Sequence, residues 1–292
     1  MVSCSLIEEV ALKLLELAAI RLPDDVKEAL QKAYHEEKSP LGRLHLQNIL
    51  ENIRLAEREN IPVCQDTGTI SFYLKAGSRF RGLGKVEKAL RSAVRKATLS
   101  IPLRPNAVDF LSNVNSGDNT GRYLPYLCWE IFEGDCLEIT VLLKGGGSEN
   151  ACALKMMNPS EGLDGLKKFI VKSVIKAGGL PCPPTIIGVG LGGGADIAMS
   201  LAKKALLKPL DEKPEDERIA SLEKELLETV NMTGIGPMGL GGSITALAVK
   251  IECAHRHPAS YPVAVAFQCW AARKAAARIL SDGGVDYLTH KV

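Results

Sequence analysis

The chain has 292 residues, 46% of them hydrophobic and 24% charged, enough for a large packed domain with an ordinary globular surface. Lys and Arg number 36 against 34 Asp and Glu, a net charge of +2, and the two signs are interspersed, so no bulk field argues for nucleic acid. No apolar run reaches the roughly 18 residues of a membrane helix, and Glu8 and Glu9 stand where a secretory signal would carry bases, so the expected compartment is the cytoplasm.

Residues 5–21 carry apolar positions at helical spacing, and Asp24-Asp25 after Pro23 open a second helix toward Glu37. A third runs from near Pro40 to Asn60, so the first 60 residues or so read as a helical layer. After Cys64-Gln-Asp-Thr-Gly68 the pattern changes. Residues 69–75 are β-branched, aromatic and alternating, which predicts a strand, and helix returns over 85–99. Residues 123–133 and 136–143 predict a β-hairpin around Gly134-Asp135, leading into Lys144-Gly-Gly-Gly-Ser148. A helix near 163–177 ends on Gly178-Gly179. Residues 185–189 read as a buried strand, followed by a glycine-rich turn and a helix from about 196 to 207. A charged loop over 210–216 precedes an amphipathic helix over 217–230. Strands near 244–252 and 262–268 and a final helix over 270–280 close the chain. The expected fold is α/β, or α+β: mixed sheets surrounded by helices, with a helical N-terminal layer, in a single domain over residues 1–292.

Eight cysteines in a reducing compartment are not a disulfide framework. Cys128, Cys136 and Cys152 fit small buried hydrophobes, and without a Cys-x-x-Cys pair any metal site must be assembled from distant segments. Gly188-Val-Gly190-Leu-Gly192-Gly193 matches G-x-G-x-x-G between a strand and a helix, the setting of a dinucleotide loop. The acidic strand end that would hold a ribose is missing, because residues 210–217 are a solvated loop feeding a helix. That glycine run and Lys144-Gly-Gly-Gly-Ser148 offer backbone N–H groups to an anion, or are simply tight turns. Cys253-Ala-His255-Arg256-His257 sets alternate residues on one strand face; it lacks an evident fourth zinc ligand and suits anion recognition better.

Longer words are more specific: Pro62-Val-Cys64-Gln65-Asp66-Thr67-Gly68, Leu103-Arg104-Pro-Asn106, Lys144-Gly-Gly-Gly-Ser-Glu-Asn150 and Pro181-Cys182-Pro-Pro184. The segment His257-Pro-Ala-Ser-Tyr-Pro-Val-Ala-Val-Ala-Phe-Gln-Cys269 completes the set. On these, over nearly its whole length, the chain resembles the α-subunit, or N-terminal domain, of class I fumarase and L-tartrate dehydratase. The resemblance implies an iron–sulfur hydro-lyase whose [4Fe–4S] cluster is held by Cys64, Cys182 and Cys269. It implies reversible hydration of fumarate to L-malate, with L(+)-tartrate or another 2-hydroxy dicarboxylate as the alternative substrate. By the same resemblance Gln65, Arg104 and the backbone of Gly147 bind the substrate. Asp66 and His257 are then the catalytic groups, His257 with a neighbouring copy as one source.

Three thiolates for four irons leave one iron open, a Lewis acid rather than an electron carrier. Each cysteine sits at a change of structure: Cys64 before a turn, Cys182 between prolines, Cys269 where a strand meets the final predicted helix. Arg104 can grip a carboxylate bidentately, Gly147 donates an N–H where no side chain would fit, and Asp66 handles a proton at the leaving hydroxyl. Plainer roles stay open: Asp66 as a turn cap, Arg104 as a surface residue, His257 as a structural histidine. The chain ends at Asp286-Tyr-Leu-Thr-His-Lys-Val292, without the domain that supplies the family's catalytic base. A separate β-subunit is therefore the expected partner, with homodimers forming through the α-subunit. A non-catalytic binding subunit and a nucleotide-dependent oxidoreductase are the other classes; Gln65, Asp66 and Arg104 speak against the first.

Overall fold

The computed structural model describes residues 2–291. In chain order its elements begin with α1 (Cys4–Ile20), α2 (Asp24–Glu36), α3 (Pro40–Glu59), β1 (Thr69–Gly77) and α4 (Leu83–Ser100). There follow β2 (Tyr126–Phe132), β3 (Leu137–Lys144), α5 (Gly146–Asn150), β4 (Ala153–Met157), α6 (Gly162–Ala177), β5 (Thr185–Gly193) and α7 (Ala195–Ala205). The chain closes with α8 (Glu217–Asn231), β6 (Ala246–Arg256), β7 (Tyr261–Gln268), β8 (Lys274–Ile279) and β9 (Val285–Tyr287). The fold is α/β, with two mixed sheets and helices α1 to α3 ahead of the first strand. Two compact units divide it: Met1–Asp24, Asn52–Gly145 and Arg273–Val292 in one, Asp25–Glu51 and Gly146–Ala272 in the other. Among the described residues no helix is long and apolar enough to cross a membrane, and no cysteine is in a disulfide.

The first unit is built on a five-stranded sheet in the order β2-β1-β3-β8-β9. Strands β1 and β2 are parallel and the other neighbours antiparallel. Helix α1 starts at Ser3, whose Oγ accepts from the Leu6 N–H at 3.0 Å, so the cap satisfies one orphan donor. Its apolar face then packs with α4 and the sheet around Ile7, Leu14, Leu90, Phe72 and Val141, each buried leucine contributing about 2 kcal/mol.

Two expectations fail in this unit. Strands β2 and β3 do not form a hairpin, because β1 lies between them. The end of β1 enters between the two arms: Gly77 N–H donates to Cys136 O and Ser78 N–H to Phe132 O, both at 2.8 Å. A Cβ on Gly77 would overlap the Gly134 main chain, so only glycine permits the insertion. The cause is burial. Strand β3 is buried along most of its length and needs a neighbour on each side, whereas the exposed β2 suits an edge. Residues 270–280 do not form a helix either; they contain β8. Alanine favours helix by only a few tenths of a kcal/mol over most residues. Here Ala275, Ala277 and Ile279 fill the core with α1, and Arg278 pairs across to Glu138 on β3 at 2.7 Å.

The second unit holds a four-stranded sheet, β4-β7-β5-β6, with only β5 and β6 parallel among its pairs. Its core joins Leu166, Ile170, Val189, Leu226, Ile251 and Phe267 from α6, α8 and the sheet. The glycine-rich stretch after residue 189 is not a turn: β5 continues through it to Gly193. A Cβ on Gly188 would overlap Ala202 O, and one on Gly190 would overlap Ala198 O. Those glycines let α7 lie directly on the strand, which accounts for the G-x-G spacing without a phosphate. Cys128, Cys136 and Cys152 are half-buried rather than in the core.

Candidate active site

In the first unit the segment between α3 and β1 carries Cys64, Gln65 and Asp66. It is fixed at Val63, whose N–H donates to Ala19 O and whose carbonyl accepts from Asn52 Nδ2, both at 2.9 Å. Cys64 is half-buried and Gln65 exposed. Asp66 caps its own turn: Oδ1 accepts from Gly68 N–H at 2.8 Å. Gly68 has φ +76°, and a Cβ there would overlap Lys144 O, so the turn closes onto the end of β3 only with glycine. The capping role does not exhaust Asp66. Asn106 Nδ2 also donates to Oδ1 at 2.7 Å, and Arg273 Nη1 donates to the Asp66 carbonyl. A Cβ on Gly145 would stand 3.0 Å from Asp66 Oδ2 and 3.6 Å from Arg273 Nη2, so a bare glycine borders both groups.

Arg104 joins this group through its loop. Buried Asn119 accepts from the Asn106 main-chain N–H at 2.7 Å and donates to Arg104 O at 3.2 Å and to Thr98 Oγ1 at 3.1 Å. The main chain from 104 to 106 is thereby clamped while the Arg104 side chain is exposed, an arrangement fit to meet an anion.

In the second unit three further positions come together. Gly147 lies against Leu180, where a Cβ would fall 2.6 Å from the carbonyl oxygen. Two residues on, Cys182 adopts φ +51°, rare for a non-glycine residue, and its N–H donates to Gly179 O at 3.0 Å. Its carbonyl accepts from the Trp270 N–H at 3.3 Å, which joins the Cys182 and Cys269 segments directly. The Cys182 turn is supported from outside. Met238 N–H donates to Pro183 O at 2.8 Å, and a Cβ on Gly239 would overlap Gly179. The loop carrying Met238 is tied in turn by the fully buried Glu37 carboxylate, which accepts from the main-chain N–H groups of Ser243 and Ile244 and from the Ser243 hydroxyl.

His257 stands apart from Cys269. The two bracket the eight residues of β7, a strand roughly 26 Å long at the usual rise. Arg256 Nη1 donates to the carbonyls of His257, Pro258 and Ser260 at 2.9 to 3.1 Å, and its guanidinium stacks 5.0 Å from the Tyr261 ring centre. Arg256 thus shapes this exposed turn through Nη1. His257 Nδ1 accepts from Ala259 N–H at 3.1 Å, which leaves Nε2 as the ring nitrogen that can donate.

A family model described as fumarate hydratase (fumerase) matches residues 8–278. The chain belongs to the fumarate hydratase family. It is therefore a hydro-lyase chain. It is 47% identical over 280 residues to a Methanocaldococcus jannaschii protein provisionally named L(+)-tartrate dehydratase subunit alpha, which covers 94% of this chain and 98% of that one. L(+)-tartrate dehydratase subunit alpha of Escherichia coli (strain UTI89) is 38% identical over 283 residues, 97% of this chain and 93% of the relative. The protein of that name from Shigella sonnei is 37% identical over the same coverage.

Among the described residues of this hydro-lyase, no three His, Cys, Asp or Glu side chains are grouped to hold a single metal ion. Cysteines that hold an iron–sulfur cluster each meet a different iron and stand farther apart than the ligands of one ion. Cys64 in the first unit, and Cys182 and Cys269 in the second, each suit such a ligand in type and setting: a soft donor, half-buried, outside helices and strands. Asn119, Glu37 and Arg273 are the supporting residues that sequence reasoning missed. Arg273 lies four residues after Cys269, within residues 270–280, which read as a helix.

Proposed function

We propose that this chain is the α-subunit of an iron–sulfur hydro-lyase that reversibly hydrates fumarate to L-malate together with a separate β-subunit. Family membership supports the reaction, and the observation that carries the site is the Trp270–Cys182 hydrogen bond, which joins two half-buried cysteine segments close to Gly147. Cys64, Cys182 and Cys269 would hold a [4Fe–4S] cluster. When bound, that group supplies an iron with no protein ligand, a Lewis acid for the substrate's hydroxyl and carboxylate.

The chain's own residues bind and orient. Arg104 grips one carboxylate through paired N–H bonds, and the Gln65 amide and Gly147 N–H donate to the remaining oxygens. Asp66, its Oδ1 fixed by Gly68 and Asn106, takes or returns the proton at the hydroxyl oxygen. His257 presents its Nε2–H to the site of a neighbouring copy in a homodimer formed through this chain. The base that removes the C–H proton belongs to the β-subunit, a partner supported by the "subunit alpha" in the relatives' names. Thiols that must stay reduced suit the cytoplasm.

L(+)-tartrate is the second reading, favoured by the names of relatives between 37% and 47% identical. A dicarboxylate with a second hydroxyl meets the same Arg104 grip. Co-expression with the β-chain, anaerobic reconstitution and a comparison of fumarate, L-malate and both tartrate enantiomers separate the two. Fumarate hydration is the expected result; turnover of L(+)-tartrate alone moves the assignment to tartrate. No turnover of any of them by the complete, iron-loaded pair would leave a binding subunit. The α-chain by itself is expected to be inactive.

A further inference from the structure

Arg273 heads the largest fully buried side chains and is 2% exposed. A guanidinium keeps its charge at any pH a protein survives, so burying one demands an anion or a full set of acceptors. Among the described residues its set of acceptors is incomplete: Nη1 meets the Asp66 carbonyl, a neutral acceptor, and Nε is buried with no hydrogen-bond partner. Arg273 also has cationic company at this end of the sheet. Lys144 closes β3 and Lys274 opens β8, each 3% exposed, where the segment from Cys64 to Gly68 runs into β1. Three basic side chains are thus buried at the end of the sheet that the Cys64–Gly68 segment enters.

We propose that Arg273 is a positioning residue of the iron–sulfur site: Nη1 holds the Asp66 main chain, and the orphan Nε–H donates to the anionic sulfur of the centre that Cys64 ligates. This inference rests on the cluster reading above. A thiolate-bound cluster carries net negative charge, and N–H groups aimed at its sulfurs stabilise it and set its potential. The burial of Arg273 is then explained by the loaded site rather than by the fold. That has an unusual consequence for the empty protein. Without the cluster the cation is a burden, and replacing it with an apolar side chain of similar length relieves the apoprotein.

The test uses the full chain as Arg273→Met and Arg273→Lys, each compared with wild type as apoprotein and after anaerobic reconstitution. Apo Arg273→Met is expected to melt at or above the wild-type temperature. Its loaded form is expected to lose iron to a chelator about tenfold to a hundredfold faster. Arg273→Lys keeps the charge without the Nε donor and should lose iron at an intermediate rate. Wild-type iron retention in Arg273→Met overturns the proposal, and so does failure of both variants to fold, which would make Arg273 a residue of the fold alone. If wild type itself takes up no cluster, the cluster reading falls and this inference with it; a loaded wild type with an equally stable Arg273→Met sinks the inference only.

Discussion

Asn106 donates a 2.7 Å hydrogen bond to the Asp66 carboxylate, while its own main-chain N–H is held at 2.7 Å by buried Asn119. A carboxylate oriented by two donors, Gly68 and Asn106, is prepared to exchange a proton in one direction. Asp66→Asn should therefore lower kcat for fumarate hydration by about a hundredfold to ten-thousandfold, the usual contribution of a general acid–base group. Asn106→Ala removes only the orientation and should cost about tenfold, as expected for one hydrogen bond to a charged group. Steady-state kinetics of the two-chain enzyme, with thermal midpoints near wild type, check both. Wild-type kcat in Asn106→Ala would contradict the orienting role.

Glu37 gives a prediction about stability and pH. Burial alone would raise its carboxyl pKa, but the N–H groups of Ser243, Ser39 and Ile244 and the Ser243 hydroxyl outweigh burial and hold it below the ordinary value. A folded pKa below the unfolded one stabilises the fold above the unfolded value of about 4.3, and that stability disappears as pH falls through the folded pKa. Glu37→Ala should cost about 3 kcal/mol near neutral pH, because it leaves several buried donors unpaired. Urea unfolding near neutral pH and again below about pH 4 should show that difference shrinking in acid. A difference independent of pH would show that the charge is not what matters.

These two sites differ in how much of them could be read from the chain. Helices α1 to α3 and strand β1 follow from local periodicity and were legible, and so were the words around Cys64, Arg104, Cys182 and Cys269. The β2–β3 hairpin failed because the strand between them, β1, lies some fifty residues earlier, and strand order is a property of burial rather than of spacing. Strand β8 failed because Ala275 to Ala277 favour helix locally, while the core beneath α1 needs a thin strand. Asn119, Glu37 and Arg273 were invisible for a related reason. Their importance comes from polar groups buried by the tertiary fold, and nothing in an isolated Asn, Glu or Arg announces that.

The glycines of β5 carry the third prediction. If Gly190 serves close packing with α7, Gly190→Ala forces its Cβ against Ala198 O and should destabilise by about 3 kcal/mol, the upper range for overpacking. Thermal or urea unfolding reads the loss. The wild-type chain should also show no saturable binding of NADH by fluorescence titration. Tight NADH binding, or a harmless Gly190→Ala, would revive a dinucleotide loop.

His257 carries the fourth. With β7 holding it far from Cys269 of the same chain, its contribution should be made to another copy. His257→Ala and Asp66→Asn chains, each inactive alone, should regain activity when co-expressed with the β-subunit, because mixed dimers contain one site with both groups intact. Absence of complementation, with mixed dimers demonstrated by differential tagging, would place His257 outside catalysis.

On the proposed reading, Cys64, Cys182 and Cys269 hold one iron–sulfur cluster. Iron and sulfide counted per chain after anaerobic reconstitution, for wild type and for Cys64→Ser, Cys182→Ser and Cys269→Ser beside a Cys253→Ser control, address it most directly. Wild type and the control should carry about four irons with broad visible absorption, and the three ligand variants should lose both. Full iron in any of those three, or a single zinc in the wild-type protein, would contradict that ligand set.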